Sequence, residues 1–360
     1  MYPPTPLKSA ATFLVLAIPL MLGAQISSAQ VRYSTLNYPG TGSTGLSGVR
    51  GIGGQDVYIT GGFQPASQKP PKEGVLYKGP LHGGGTWAIF NYPTSPGVTV
   101  NTTVLYGPDD PSGLPPNNVR VVGSYTKSET GAMNHGLLYD GPDDGSGTNW
   151  QTLDFPETGV LNTIAHSTMG GLVVGNYDKG TGGRAFVYDI NANANPWVPL
   201  IKPGALSITA YGIWYNGGTQ YTIAGGYSDG NLQGIDHGYL VNWDSATQSA
   251  SDWTSYDYQN RNTGVAISHF NGITGDSHGG FYLTGDWVGA IAPHAGAFLA
   301  HVRRTPNRLF HKANWTPIAY PSASTTSGDT VFENNVIGIF SPGISTDPVS
   351  SFVATVQGHR

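Results

Sequence analysis

The feature that most constrains this chain is a seven-residue phrase that occurs six times. Each copy reads aromatic, two variable residues, an apolar residue, one variable residue, then usually an aromatic and a proline. The first three are Tyr33-Ser-Thr-Leu-Asn-Tyr-Pro39, Trp87-Ala-Ile-Phe-Asn-Tyr-Pro93 and Trp150-Gln-Thr-Leu-Asp-Phe-Pro156. Trp197-Val-Pro-Leu-Ile-Lys-Pro203, Trp253-Thr-Ser-Tyr-Asp-Tyr-Gln259 and Trp315-Thr-Pro-Ile-Ala-Tyr-Pro321 follow. Five of the eight tryptophans head a copy, which argues against chance placement. A phrase that returns about every fifty residues marks a solenoid or a propeller, whose units bury their apolar faces only against one another.

Two further phrases recur between the heptads. One is an apolar run ending in Gly-x-aromatic, at Gly61-Gly-Phe63, Gly123-Ser-Tyr125, Gly175-Asn-Tyr177, Gly225-Gly-Tyr227, Gly285-Asp-Trp287 and Gly338-Ile-Phe340. The other leads from a short pair into apolar residues, as in His135-Gly-Leu-Leu-Tyr139 and Arg184-Ala-Phe-Val-Tyr188. A Thr/Val/Ile-rich segment, the composition of a strand, precedes each Gly-x-aromatic. Each unit therefore holds four short strands separated by Gly, Pro, Asn and Asp turns. Helical spacing is never sustained without an interrupting Gly or Pro.

The ends of the chain complete the pattern. The last unit, beginning near Asp329, has three of the four phrases and no heptad after them, whereas the heptad from Tyr33 stands unattached at the start. Joining the two predicts an all-β fold, a six-bladed β-propeller of four-stranded blades, its ring closed by an N-terminal strand that completes the last blade. Closure of this 3+1 kind removes free sheet edges. The heptad becomes the outermost strand, the Thr/Val/Ile segment lines the central channel, and the heptad tryptophans pack between blades.

Composition narrows the function classes. There is no cysteine, which excludes disulfides and every thiolate site. Net charge is −5 without a basic run, which argues against nucleic acid and anionic membrane as partners. Lys8, the apolar run from Ala11 to Ala24 and Ser27-Ser28-Ala29 read as a secretory signal peptide over 1–29. The run is shorter than the roughly 20 apolar residues that span a bilayer. The expected product is one propeller domain over 30–360, secreted or periplasmic and monomeric, with no cofactor.

Val121-Val122-Gly123-Ser124-Tyr125 followed by His135-Gly136-Leu137, and Val173-Val174-Gly175-Asn176-Tyr177 followed by Arg184-Ala185-Phe186, resemble the bacterial extracellular repeat named for His-Ala-Phe (HAF-type). The first, fifth and sixth units lack the His. The order Gly61-Gly62, Tyr77, Trp87 is similar, more loosely, to the kelch repeat, a four-stranded blade. The resemblance implies an extracellular bacterial protein and names no reaction.

The loops between second and third strands share a face with the linkers into the inner strands. Tyr125, His135, Tyr177, Arg184, Tyr227, His237, Asp286 and Trp287 stand at their edges, with His294 nearby. Aromatic faces beside His, Arg and Asp can stack on sugar rings and bond their hydroxyls, so this face is the expected binding site for an extracellular glycan or surface protein. The alternative is that the aromatics fill space between blades. His166 and His269, placed on inner strands, show no metal-ligand spacing. The acidic loops around Asp109-Asp110 and Asp143-Asp144 have turn chemistry rather than a calcium-loop pattern. Non-catalytic binding is the leading expectation; a carbohydrate-active hydrolase or lyase and a structural envelope protein are the alternatives. A carboxylate pair in a deep axial pocket decides for the enzyme.

Overall fold

The computed structural model describes residues 30–358, apart from 41, 66–71, 129–132, 181, 231–235, 260–263, 290–294 and 344–347. The expected signal segment 1–29 and His294 lie outside the described residues.

The described chain is a succession of antiparallel strands. After β1 (Gln30–Thr35) comes a first quartet, β2 (Ser43–Gly53), β3 (Asp56–Gln64), β4 (Glu73–Pro80) and β5 (Thr86–Phe90). The second is β6 (Val100–Pro108), β7 (Asn118–Lys127), β8 (His135–Pro142) and β9 (Trp150–Leu153). The third is β10 (Val160–Met169), β11 (Leu172–Lys179), β12 (Gly182–Asp189) and β13 (Trp197–Leu200). The fourth is β14 (Ser207–Gly217), β15 (Gln220–Ser228), β16 (Asp236–Asp244) and β17 (Ser249–Tyr256). The fifth is β18 (Val265–Gly275), β19 (Phe281–Gly289), β20 (Ala295–Arg304) and β21 (Phe310–Ile318). The chain ends with β22 (Thr325–Phe332), β23 (Asn335–Ser341) and β24 (Ser350–Gln357).

The arrangement is a β-propeller. Four sheets are separate four-stranded blades, and the fourth and fifth quartets join into one eight-stranded sheet. The expectation of six separate sheets is corrected in this respect. The physical reason is one parallel bridge, Asp236 to Ile267, between β16 and the inner strand β18. The inner strands β2, β6, β10, β14, β18 and β22 contact one another in sequence, and β22 contacts β2. The N-terminal strand does complete the last sheet: β1 pairs antiparallel with β24 over six residues, from Gln30–Gln357 to Thr35–Phe352. Among the described residues no helix is long and apolar enough to cross a membrane.

The heptads explain how neighbouring units hold together. The sixth heptad residue lies between the Gly-x-aromatic ring of its neighbour and the aromatic that heads the next heptad. Tyr38 stacks on Phe63 at 4.2 Å and meets Trp87 edge-on at 5.6 Å. Tyr92 stacks on Tyr125 at 3.7 Å and meets Trp150 at 5.7 Å. Phe155 does the same with Tyr177 at 3.8 Å and Trp197 at 5.3 Å. Lys202 takes the place of the ring in the fourth unit, its ammonium 4.1 Å from Tyr227 and 6.0 Å from Trp253, a cation–π contact. Tyr258 joins Trp287 to Trp315, and Tyr320 joins Phe340 to Tyr33 on the completing strand. Each such pair contributes about 0.5–1.5 kcal/mol beyond area burial.

The Gly-x-aromatic glycines are required by backbone proximity. A Cβ on Gly285 would stand 1.7 Å from His269 O, and one on Gly225 1.9 Å from Thr209 O.

Candidate axial site

Every inner strand is interrupted by a bulge at the same place. Pairing with the second strand skips one residue between Leu46 and Gly48, Leu105 and Gly107, Ala165 and Ser167, Ala210 and Gly212, Phe270 and Gly272, and Gly328 and Thr330. The skipped residues are Ser47, Tyr106, His166, Tyr211, Asn271 and Asp329. A bulge frees a residue from the ladder and re-aims its side chain, and here six bulges aim a ring of polar groups at the axis. The rings converge across quartets: Tyr106 to His166 at 5.2 Å, His166 to Tyr211 at 4.7 Å, Tyr211 to His269 at 6.2 Å. All six side chains are partly accessible although they lie deep within the fold.

The axis is closed on one side of this ring. From β2, Arg50 reaches across to Ser167 Oγ at 3.3 Å, Thr168 O at 3.4 Å and Ile213 O at 3.0 Å, with its guanidinium 5.7 Å from the Trp214 ring. On the other side, partly accessible residues continue to the beginnings of the inner strands, where Leu161 and Leu206 are exposed. The bulged residues thus form a polar floor across the axis, and the side away from Arg50 is the one on which the inner strands begin and the second strands end.

Asp286 and Asp329 dominate the floor. Asp286 Oδ1 accepts from Gly328 N at 2.8 Å, and its Oδ2 accepts from Asn271 Nδ2 at 2.9 Å and Ser327 Oγ at 3.0 Å. Asp329 Oδ1 lies 2.8 Å from the same Ser327 Oγ. A hydroxyl has one proton to give. If Ser327 donates to Asp286, the contact with Asp329 needs a proton from Asp329. Burial raises the Asp286 carboxyl against the opposing pull of its three donors, whereas the one donor to Asp329 among the described residues is the shared Ser327 hydroxyl. Burial, with the Asp286 charge second, raises the Asp329 carboxyl to about 7. The two oxygens share one hydroxyl and so stand within about 6 Å of each other. Like-charged carboxyls this close do not both ionise at neutral pH.

The histidines are neutral. Burial lowers His166 to about 4 despite a 2.7 Å bond from its Nε2 to Asn176 Oδ1, and lowers His269 as well. Burial likewise raises the Tyr106 and Tyr211 phenols, which stay protonated donors. The floor thus offers a carboxylic acid, two phenols and two neutral imidazoles, a set suited to hydroxyl groups and proton transfer.

Of the residues singled out from sequence, the structure brings Asp286 to this floor. Tyr125, Tyr177 and Tyr227 are buried in the stacks that join neighbouring units, and Trp287 packs on Tyr258. His135 Nδ1 meets Asp154 at 2.8 Å and His237 Nδ1 meets Asp257 at 2.7 Å, each His tied to the fifth residue of a heptad. Arg184 is exposed and caps Leu206 O at 2.6 Å. Sequence reasoning missed Asp329, Tyr106, Tyr211 and Asn271. A signal was present: in four inner strands the bulged residue precedes glycine. Neighbouring inner strands leave no room there, since a Cβ on Gly48 would fall 1.9 Å from Tyr106 O.

No protein-family model matches the chain, and no curated protein matches it. Solved structures of similar fold include a protein of unknown function from Dyadobacter fermentans, with TM-score 0.51 and 9% identity over 91% of this chain and 99% of that one. An alpha-L-arabinofuranosidase from Lactobacillus brevis gives TM-score 0.46 and 10% identity over 76% of this chain and 95% of that one. The protein YjhT gives TM-score 0.45 and 12% identity over 89% and 99%. At these identities the first likeness concerns the fold alone, and the other two carry no argument.

Proposed function

We propose that the chain is a secreted six-bladed propeller that takes the end of a carbohydrate into its axial pocket and cleaves it by acid–base chemistry. Six blades follow from taking the eight-stranded sheet as two quartets that touch through one bridge. Secretion rests on the apolar stretch from Ala11 to Ala24. The observation that carries the activity is the Asp286–Ser327–Asp329 relay. It supplies a neutral acid beside a fixed negative charge, the arrangement by which carboxyl pairs divide acid and anion roles at neutral pH. In this reading Asp329 protonates the leaving oxygen, a water molecule adds to the anomeric carbon as that bond breaks, and the proton the water sheds returns to Asp329, whose protonated form the neighbouring Asp286 favours. Tyr106, Tyr211 and His166 bind hydroxyls. The closed end restricts the pocket to chain termini.

A second reading has one observation in its favour. All three donors to Asp286 are the protein's own, so its carboxylate is already engaged and the pocket holds an acid without a free base. On that basis the propeller binds a glycan and leaves it intact. A panel of polysaccharides and oligosaccharides, assayed for binding and for reducing-end release, separates the two. Release that disappears in Asp329→Asn supports the enzyme. Binding without release supports the lectin-like reading, and neither result with any glycan sinks both.

A further inference from the structure

In three quartets the middle residue of the Gly-x-aromatic phrase bonds the bulged residue of its own inner strand: Ser124 with Tyr106, Asn176 with His166 and Asp286 with Asn271. The contact at His166 fixes a proton, because it ends a chain of side chains that starts in the second quartet. The backbone N–H of Asn134 donates to Asn162 Oδ1 at 2.9 Å, so Asn162 turns its Nδ2 to Asp178 Oδ2 at 3.1 Å. The other oxygen of Asp178 accepts from Asn176 Nδ2 at 3.3 Å. A backbone N–H only donates and an ionised carboxylate only accepts, so neither amide can be reversed without setting like against like. Asn176 therefore turns its Oδ1 to His166 Nε2, 2.7 Å away, and an acceptor there requires Nε2 to carry the proton.

A neutral imidazole with its proton on Nε2 has a bare lone pair on Nδ1. Burial lowers His166 to about 4, so the ring stays neutral at pH 7. Among the described residues Nδ1 has no hydrogen-bond partner, and the only buried side-chain nitrogen or oxygen atoms without one are Arg50 Nε and Thr60 Oγ1. Nδ1 is therefore accessible, on a ring held between Tyr106 and Tyr211. We infer that His166 is a specificity-determining residue that accepts a sugar hydroxyl at Nδ1, and that Asn176 and Asp178 are positioning residues that keep the proton on Nε2. The inference rests on the axial-pocket reading above and narrows its substrate. The group opposite Nδ1 must be a free hydroxyl, since an ether or a carboxylate would set lone pair against lone pair. The other tautomer would select in the opposite sense.

Long-range proton–nitrogen correlation spectra of protein carrying nitrogen-labelled histidine separate the two tautomers at about pH 7. The His166 signals are assigned by their loss in His166→Gln or, should that variant fail to fold, by contacts to the Tyr106 and Tyr211 rings. The expected spectrum has a pyrrole-type Nε2 and a pyridine-type Nδ1. Asp178→Asn replaces one of two acceptor oxygens with an N–H. Asn162 is pinned by Asn134, so Asn176 is the amide that must turn, presenting N–H to Nε2 and moving the proton to Nδ1. That variant should show the reversed or a mixed tautomer although Asp178 reaches the ring only through Asn176, a change that lost stability alone would not bring. Should Asp178→Asn not fold, Asn176→Leu, which removes the acceptor, carries the same measurement. The methyl pyranosides of glucose, galactose, mannose and xylose are then titrated, with binding followed by calorimetry. A pyranoside that binds should shift His166 Nδ1, and Asp178→Asn should weaken it roughly tenfold. A wild-type Nδ1 that carries the proton overturns the inference. So does a tautomer unmoved in the variant, or a bound pyranoside that leaves Nδ1 unshifted, and in each case the axial-pocket reading stands. If wild-type protein binds none of the four, both fall.

Discussion

Asp329 Oδ1 and Asp286 Oδ2 meet at one hydroxyl, that of Ser327, which lies 2.8 Å from the first and 3.0 Å from the second. The two carboxyls belong to different sheets, Asp286 to β19 and Asp329 to β22. The relay is therefore a product of neighbouring units, and its two members are not equivalent.

That inequality predicts opposite responses to isosteric substitution. Asp329→Asn keeps a neutral donor toward Ser327 and should change unfolding free energy by less than about 1 kcal/mol. Asp286→Asn turns an amide N–H toward Asn271 or Ser327 and leaves donors unpaired, costing about 2–4 kcal/mol. Urea titration of both variants checks this. Equal losses would remove the assignment of the proton to Asp329.

Two buried groups give opposing pH dependences. The Asp329 carboxyl is raised from 3.8 to about 7. Between those values the folded state holds more protons, so its stability contribution is full below 3.8 and is lost as pH rises through 7. His166 is lowered from 6.5 to about 4. Its contribution is full above 6.5 and is lost as pH falls through 4. In the shared window the slopes, each up to about 1.4 kcal/mol per pH unit, largely cancel. Wild-type melting temperature should be nearly flat from about pH 4.5 to 6, where the two titrations overlap. Asp329→Asn should expose a rise with pH over the same range. A flat profile in the variant refutes the opposition.

The completing strand should be indispensable. Deleting 30–35 removes the whole β1–β24 pairing and the Tyr33 contacts with Tyr320 and Phe352. Loss of the half-buried Tyr33 ring with the six-residue pairing costs about 3 kcal/mol or more, and a chain of this size shifts by roughly 2–4 °C per kcal/mol. The melting temperature should fall by about 10 °C or more, against little change on trimming 358–360. Calorimetry that gives comparable shifts defeats the latch.

Tyr125 should matter for stability rather than for ligands. It is buried, stacks on Tyr92 at 3.7 Å and bonds Thr152 Oγ1 at 2.8 Å. Tyr125→Ala should cost about 3–5 kcal/mol, as large aromatic truncations in cores do. Glycan affinity measured below its unfolding transition should match wild type. A variant of normal stability with lost binding would return Tyr125 to the site.

Much of the architecture was legible because it is periodic. The heptad, the Gly-x-aromatic phrase and the displaced copy at Tyr33 each recur, and recurrence exposes packing that a single copy hides. The pairing of β1 with β24 follows from that pattern alone. The joining of two quartets through Asp236 and Ile267 does not, because one bridge between neighbouring strands leaves no trace in composition.

The site was harder to read for a physical reason. Repeats reveal positions that are alike, whereas the bulged residues Ser47, Tyr106, His166, Tyr211, Asn271 and Asp329 share a location and no chemistry. The aromatics that repeat, Tyr125 and Tyr177 among them, proved to be the mortar between units. Asp286 stood out in sequence as the one acidic x in a Gly-x-aromatic phrase. By itself the sequence determined the strand units and their closure, because both rest on local pattern and turn chemistry. Only the tertiary structure decided that six unlike side chains share one floor and that two of them compete for a proton. Those relationships arise where strands far apart in the chain converge on one axis, and burial there sets their charge.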